Sequence, residues 1–151
     1  MIEEYNKKVS RYPSIPEYIK LRPYQIEAIQ KWKENKYVGI FDMATGTGKT
    51  ITGISAIVDL LNCENMKLGI IICVPYIHLV DQWYEDLVSF KFKPVIGYSN
   101  SPQSKWKIKL KREVFEYSNN VRDNFCILTT NKSFSSDYIY TIIKSCKKSC
   151  Y

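Results

Sequence analysis

The chain has 151 residues, the length of one ordinary domain, and 45% of them are hydrophobic, as is typical of a globular protein. Its longest apolar run, residues 70–74, is too short to span a bilayer, and the N-terminus lacks the basic-then-apolar layout of a signal peptide, so we expect a soluble, cytoplasmic protein. Its 22 Lys and Arg against 15 Asp and Glu give a net charge of +7. That excess favours a polyanionic partner, although a solubilising surface explains it equally well.

The cysteines number five, an odd count, and no two of them form a C-x-x-C pair. Two of the five lie in strongly apolar, strand-like runs. This pattern predicts reduced, buried thiols rather than disulfides or a metal site. The five are Cys63, Cys73, Cys126, Cys146 and Cys150.

The first half of the chain predicts two helices and two strands. Residues 21–30 contain a proline at a plausible first helical position and apolar residues at helical spacing, which predicts a helix. Residues 37–42 are β-branched and aromatic and predict a strand, and residues 51–61 predict a second helix. The almost wholly apolar run at residues 68–74 predicts a parallel strand buried on both faces.

The second half continues the alternation. Residues 76–90 predict a helix, residues 94–98 a weak strand and residues 125–129 a further strand. The stretch from residue 101 to 117 alternates in part like an exposed strand, but Ser101 and Pro102 supply a cap that favours a helix. Residues 133–146 predict a last helix, followed by lysines suited to its C-terminus, Lys147 and Lys148. Alternating strands and helices predict an α/β fold with a mostly parallel sheet.

A glycine-rich stretch, MATGTGKT at residues 43–50, lies between a predicted strand and a predicted helix. Gly46 and Gly48 allow successive N–H groups to turn toward an anion at the start of that helix. Lys49 is placed to reach the β- and γ-phosphates, and the Thr50 hydroxyl to bind a magnesium ion on them. Met43 replaces the first glycine of the strict G-x-x-x-x-G-K-[ST] pattern, but the strand-to-helix context is the required one.

The stretch ATGTGKT resembles motif I of superfamily 2 helicases and translocases, and LRPYQ at residues 21–25 resembles their adenine-recognition motif. The resemblance implies that Gln25 hydrogen-bonds the adenine edge and that Arg22 flanks the ring. It also implies that the chain binds ATP with Mg²⁺ held through the nucleotide. The implied site residues are Arg22, Gln25, Thr45, Gly46, Thr47, Gly48, Lys49 and Thr50, of which Lys49 and Thr50 are the candidate catalytic pair.

Three further stretches resemble the motifs by which that superfamily holds a nucleic-acid backbone. VPYIHLVDQW at residues 74–83 is similar to motif Ia, Gly97 to the small residue of motif Ib, and ILTT at residues 127–130 to motif Ic. The resemblance implies backbone contacts, to DNA rather than RNA, at Pro75, Gly97, Thr129 and Thr130. His78, the only histidine, stands where the family often has threonine or serine, and we expect it to be a surface or packing residue.

The strongest resemblance is to helicase-type ATPase subunits of restriction and phage-defence systems, and it runs from Ile15 onward. It implies a three-layer P-loop NTPase (RecA-like) fold, with residues 1–151 as the N-terminal portion of the first RecA-like domain. The sequence contains no Asp-Glu dipeptide, no Ser/Thr-Ala-Thr coupling motif and no second RecA-like domain. We therefore expect a chain truncated before the acidic-pair strand, which binds ATP but does not hydrolyse it without the rest of the motor.

Two other functions share some of these features. A P-loop NTPase of another class has the same loop, but Phe134 occupies the aspartate position of a guanine-binding Asn-Lys-x-Asp motif. A non-catalytic nucleic-acid-binding module agrees with the charge and with the missing acidic pair. Because the usual neighbours of residues 37–42 are absent, we also expect this strand to pair with residues 125–129 or with a second copy of the chain.

Overall fold

The computed structural model describes residues 12–146. They form an α/β fold, which confirms the predicted class, and all strand pairing in the described part is parallel. The elements in chain order are α1 (Pro23–Glu34), α2 (Lys49–Cys63), β1 (Leu68–Val74), α3 (Ile77–Ser89), β2 (Val95–Gly97), α4 (Trp106–Ser118), β3 (Asn124–Thr130), α5 (Asn131–Phe134) and α6 (Asp137–Lys144).

The sheet has the strand order β1-β3-β2, so the last strand in sequence is the central one. The β1–β3 register runs from Leu68 opposite Asn124 to Val74 opposite Thr130. On the other side of β3, the short strand β2 places Gly97 opposite Thr129. All three strands therefore deliver their carboxyl ends to one edge, where parallel α/β sheets bind ligands.

Alternate residues of β3 supply two separate hydrophobic cores. Cys126 and Leu128 pack on one face of the sheet with buried side chains of α2 and α3. Phe125 and Ile127 pack on the other face with buried side chains of α4 and α6. The result is three layers, with the sheet between two groups of helices.

Residues 37–42 do not form the predicted strand. Lys36 and Tyr37 have positive φ angles of 56° and 62°, so the chain turns sharply after α1. The Tyr37 and Phe41 rings then pack on Trp32 of α1, with centroids 5.1 and 6.1 Å away, instead of entering a sheet. The expected pairing with residues 125–129 is also wrong, because β1 and β2 occupy both sides of β3.

Two helices differ in extent from the prediction because serine side chains bond nearby backbone groups. Ser101 donates from its hydroxyl to the Ile96 carbonyl and accepts from the Gln103 N–H, so α4 begins only at Trp106. The predicted helix over residues 133–146 is divided into α5 and α6. Ser135 and Ser136 lie between them, and their hydroxyls donate to the α5 carbonyls of Asn131 and Ser133.

The thiols of the described cysteines are free, as predicted, but they are not all buried. Cys126 is buried and burial raises the pKa of its thiol, whereas Cys63 and Cys73 are exposed, so the expected burial of Cys73 is wrong. No helix within residues 12–146 is long and apolar enough to cross a membrane. The N-terminal residues, Lys147, Lys148 and Cys150 lie outside the described residues.

Candidate nucleotide and nucleic-acid sites

The glycine-rich stretch forms a tight turn that leads into α2. Gly46 and Gly48 have φ angles of 79° and 83°, in the left-handed region that favours glycine. A Cβ atom on Gly48 would also come within 3.0 Å of the side-chain nitrogen of Gln25. The Thr47 hydroxyl donates to the Ala44 carbonyl over 2.6 Å and closes the turn. The positive φ angles agree with the conformational freedom expected of these two glycines, but no strand precedes the turn, so the predicted strand-to-helix context is not formed.

The start of α2 places the remaining loop residues. Gly48 is the N-cap residue, Lys49 is the first helical residue and is exposed, and Thr50 is the second and is half-buried. Thr45, in the turn before them, is exposed. The structure thus brings an ammonium group and a hydroxyl group together at the N-terminus of a 15-residue helix, where backbone N–H groups and the helix dipole favour an anion.

Gln25 does not present its amide to an open site, contrary to the expectation from the resemblance. The residue is 5% exposed, and its side-chain nitrogen donates to the Thr52 hydroxyl over 2.8 Å. Its side-chain oxygen accepts from the Arg22 N–H over 2.9 Å. Thr52, which is fully buried, was not predicted as a site residue, since its role depends on this contact between α1 and α2.

Tyr24 reaches the glycine-rich turn from the start of α1, and Arg22 contacts Tyr24. The exposed Arg22 guanidinium donates to the Tyr24 hydroxyl over 3.2 Å. That hydroxyl in turn donates to the Thr47 carbonyl over 2.8 Å. Sequence reasoning missed Tyr24, although it lies beside Gln25 in LRPYQ and its hydroxyl makes the shorter contact with the loop.

A cavity of about 520 Å³ adjoins the loop, between α1 and the segment that precedes the glycines. Tyr24 and Trp32 line it from α1, and Ile40, Phe41 and Met43 line it from that segment. Its aromatic and apolar walls suit a flat ring, and Tyr24 connects it to the phosphate loop. The cavity is therefore a candidate base pocket next to a candidate phosphate site.

The carboxyl edge of the sheet carries an exposed aromatic pair. The Tyr76 and His78 rings, just beyond β1, are stacked with centroids 5.5 Å apart and planes within 8° of parallel. Tyr76 is 62% exposed, and Pro75 beside it is also exposed. The position of His78 confirms the prediction of a surface residue. Val74 at the end of β1 pairs with Thr130 at the end of β3. The exposed Lys132 comes two residues after Thr130 and so lies at the same edge of the sheet as Pro75 and Tyr76.

The other predicted backbone-binding residues are engaged inside the protein. Thr129 is fully buried and its hydroxyl donates to the Gly97 carbonyl. The Thr130 hydroxyl caps α5 by accepting from the Ser133 N–H. Gly97 is buried, and a Cβ atom there would lie 3.0 Å from Ile127 and 3.1 Å from Trp106. Internal hydrogen bonds thus occupy the two threonine hydroxyls, and packing fills the space beside Gly97, while contact of these positions with a nucleic-acid backbone stays a prediction.

A glycine turn that opens a long helix, in a three-layer domain with a parallel sheet, defines the class of phosphate-binding α/β proteins. Within that class, residues 18–148 match the family described as "Type III restriction enzyme, res subunit", and the chain belongs to this family. The resemblance to superfamily 2 helicases and translocases is confirmed by this match.

Two individual proteins are similar to parts of the chain. The DNA 3'-5' translocase XPB2 of Sulfurisphaera tokodaii is 40% identical over 88 residues, which are 57% of this chain and 18% of the translocase. The structure of a nuclease-deletion mutant of the Type ISP restriction-modification enzyme LlaGI, in complex with a DNA substrate mimic, superposes with a TM-score of 0.66. The superposition covers 83% of this chain and 14% of that enzyme, with 20% sequence identity. At this identity the similarity supports only the assignment of the fold. The chain thus spans less than a fifth of either relative.

Proposed function

We propose that the chain is the ATP-binding portion of a nucleic-acid-dependent ATPase, a helicase or translocase of a restriction or phage-defence system. Residues 1–151 would form the N-terminal part of its first RecA-like domain, in the cytoplasm, with the remainder of the motor as partner. The observation that carries the proposal is the glycine turn at the start of α2, in a chain that belongs to a restriction-enzyme family.

The residues of the loop would contact different parts of MgATP. The N–H groups around Gly46 and Gly48 would bind phosphate oxygens, and the Lys49 ammonium would neutralise the β- and γ-phosphates. The half-buried Thr50 hydroxyl would hold Mg²⁺ through the nucleotide. Magnesium supplies charge neutralisation on the phosphates, and a hydroxyl oxygen is the hard ligand that it prefers. Thr45 and Thr47 complete the turn.

We propose that this chain alone binds ATP without hydrolysing it. Its sequence has no Asp-Glu pair to hold magnesium and activate water. Within residues 12–146, no group of three acidic, histidine or cysteine side chains is arranged to hold a metal ion. Lys49 and Thr50 would stabilise the phosphates, and the Asp-Glu pair that would activate water is absent from this sequence.

We propose a nucleic-acid surface at the carboxyl edge of the sheet, formed by Pro75, Tyr76, His78 and Lys132. All four are exposed, and the net charge of +7 favours a polyanion. The stacked rings offer a face for a base, and the lysine offers a phosphate contact. DNA is the favoured partner, because both relatives above are described with DNA. Such a surface would bind weakly and without sequence preference.

The test is calorimetric titration of the chain with ATP and ADP in the presence of Mg²⁺. Lys49→Ala should abolish most of the binding, while Lys67→Ala, at another exposed lysine, should bind like the wild type. Equal affinities for all three proteins would contradict the loop assignment. A steady-state phosphate-release assay should show no turnover above a blank, and robust turnover would contradict the proposed lack of hydrolysis.

A further inference from the structure

The Tyr24 hydroxyl links α1 to the middle of the phosphate loop, because it donates a hydrogen bond to the Thr47 carbonyl. No other described side chain donates to that carbonyl. We propose that Tyr24 is a positioning residue, whose hydroxyl orients the loop so that its N–H groups face a bound phosphate. The inference rests on the proposed nucleotide site and assigns to Tyr24 a role that the motif resemblance does not give it.

The planar peptide bond between Thr47 and Gly48 fixes the direction of the Gly48 N–H. The described chain has no cis peptide bond, so the carbonyl of Thr47 and the N–H of Gly48 point in opposite directions across one planar unit. The Tyr24 hydroxyl holds that carbonyl at 2.8 Å. The Gly48 N–H must therefore point away from α1, to the side of the loop that Tyr24 does not occupy.

The next peptide unit is held in the same way. The Gly48 carbonyl accepts from the backbone N–H of Thr52 over 2.9 Å, as the first hydrogen bond of α2, from the Thr52 hydroxyl over 3.0 Å and from the Gln25 amide over 3.4 Å. The Lys49 N–H is consequently directed away from those side chains. The N–H groups of Gly48 and Lys49 thus belong to successive peptide units whose carbonyls, on Thr47 and Gly48, are both engaged. Two such N–H groups form the kind of concave donor pair that binds phosphate.

Among the side chains that bond the Thr47 and Gly48 carbonyls, Tyr24 is the exposed one. Gln25 and Thr52 are buried and fixed by packing, whereas Tyr24 is 39% exposed and the turn around Gly46 has open space around it. Without the hydroxyl, the Thr47–Gly48 peptide unit has glycine freedom on one side and no side-chain restraint on its carbonyl. Loss of the hydroxyl should thus leave the fold intact but allow the loop to leave its phosphate-binding conformation.

Tyr24→Phe isolates this effect, because it removes only the hydroxyl and keeps the ring that lines the adjoining cavity. Tyr24→Leu removes both. Tyr140→Phe, at an exposed tyrosine of α6, is the matched control for loss of a tyrosine hydroxyl. Titration with ADP and with inorganic tripolyphosphate, a probe without a base, separates an effect on phosphate binding from an effect on adenine binding.

Tyr24→Phe should bind both probes about two- to tenfold more weakly than the wild type, the factor expected from one neutral hydrogen bond. Its thermal unfolding without ligand should match that of the wild type and of Tyr140→Phe. Tyr24→Leu should lose further affinity for ADP but not for tripolyphosphate. Equal weakening of both probes, with unchanged stability, is a result that a role in packing or base stacking does not produce.

Three results would overturn the inference. The first is wild-type affinity of Tyr24→Phe for both probes while Lys49→Ala abolishes binding, which leaves the proposed function standing. The second is weakening for ADP alone, which assigns the hydroxyl to the base. The third is a wild-type chain that binds neither probe, which contradicts the proposed function and this inference together.

Discussion

The side-chain nitrogen of Gln25 donates a 2.8 Å hydrogen bond to the hydroxyl of Thr52, and this buried contact joins the first helix to the helix that follows the phosphate loop. Since Thr52 donates onward to the Gly48 carbonyl, Gln25 acts on the loop through a chain of hydrogen bonds. In this structure Gln25, the glutamine of the stretch that resembles the adenine-recognition motif, therefore helps to hold the loop in position.

Gln25→Glu should destabilise the protein and weaken nucleotide binding. The substitution keeps the shape but replaces the donor with a carboxylate oxygen in a site that is 5% exposed, beside the Gly48 carbonyl. An unsatisfied buried group costs about 1–3 kcal/mol in unfolding free energy. Urea denaturation measures the loss, and Gln82→Glu, at an exposed position of α3, is the control. Equal stability of the two variants would show that the Gln25–Thr52 bond contributes little.

Tyr76→Ala should weaken binding of a single-stranded oligonucleotide. Loss of one stacked base costs about 1–3 kcal/mol, whereas the number of phosphate contacts, and so the salt dependence, should not change. Fluorescence anisotropy at several salt concentrations measures both quantities. Tyr140→Ala, which removes another exposed tyrosine from α6, should bind like the wild type. Salt-independent or strongly sequence-specific binding by the wild type would contradict the proposed surface.

Glu113→Gln should raise the stability of the protein at neutral pH. Burial raises the pKa of this carboxyl above its ordinary value of 4.5, and the nearby Arg122, Lys109 and Arg112 only partly oppose that effect. The folded state thus holds a proton more tightly than the unfolded state, so stability falls as pH rises from about 4.5 through the raised pKa.

At pH 7, Glu113→Gln should accordingly increase the free energy of unfolding by on the order of 1 kcal/mol for each pH unit by which burial raises the pKa of Glu113. The increase should vanish below pH 4.5. Thermal unfolding from pH 4 to pH 8 measures it. Glu116→Gln is the control, because Glu116 makes the shorter contact with Arg122, at 3.0 Å, and its loss should not stabilise the protein. A pH-independent effect of Glu113→Gln would exclude the titration as its cause.

Ile40→Lys should reduce self-association at high protein concentration. Val38 and Ile40 are 68% and 93% exposed in a segment of strand-like composition, which leaves them available to a second copy of the chain. Light scattering over a concentration series measures the apparent mass. Ile108→Lys, at an isoleucine of α4 that is 70% exposed, is the control. A wild-type chain that stays monomeric throughout would contradict pairing between copies.

Helical periodicity and continuous apolar runs predict most of this fold from the sequence. The strand at residues 68–74 is observed with the predicted bounds, and most of its apolar side chains are buried, although Cys73 is exposed. The segment at residues 37–42 has equal β propensity but forms no strand. A strand depends on a neighbour for its backbone hydrogen bonds, and this neighbour cannot be read from the segment itself.

The turn in the glycine-rich stretch was predictable because a glycine's access to positive φ angles is a local property. Gly46 and Gly48 indeed have the positive φ angles that their spacing suggests. The roles of Tyr24 and Thr129 were not predictable in the same way, since each depends on a carbonyl far away in sequence, at Thr47 and Gly97. Motif positions indicate which residues lie near a site, but only the distances show which of them have polar groups left to offer.

The position of β3 in the middle of the sheet has a consequence for the order of folding. Neither β1 nor β2 has another strand partner among the described residues, so both depend on β3, which follows them in the chain, for their parallel hydrogen bonds. Pairing at such sequence separation closes long loops and is slow. A chain that ends before Asn124 should therefore contain helices but no sheet, and both hydrophobic cores should assemble only as β3 inserts between its neighbours.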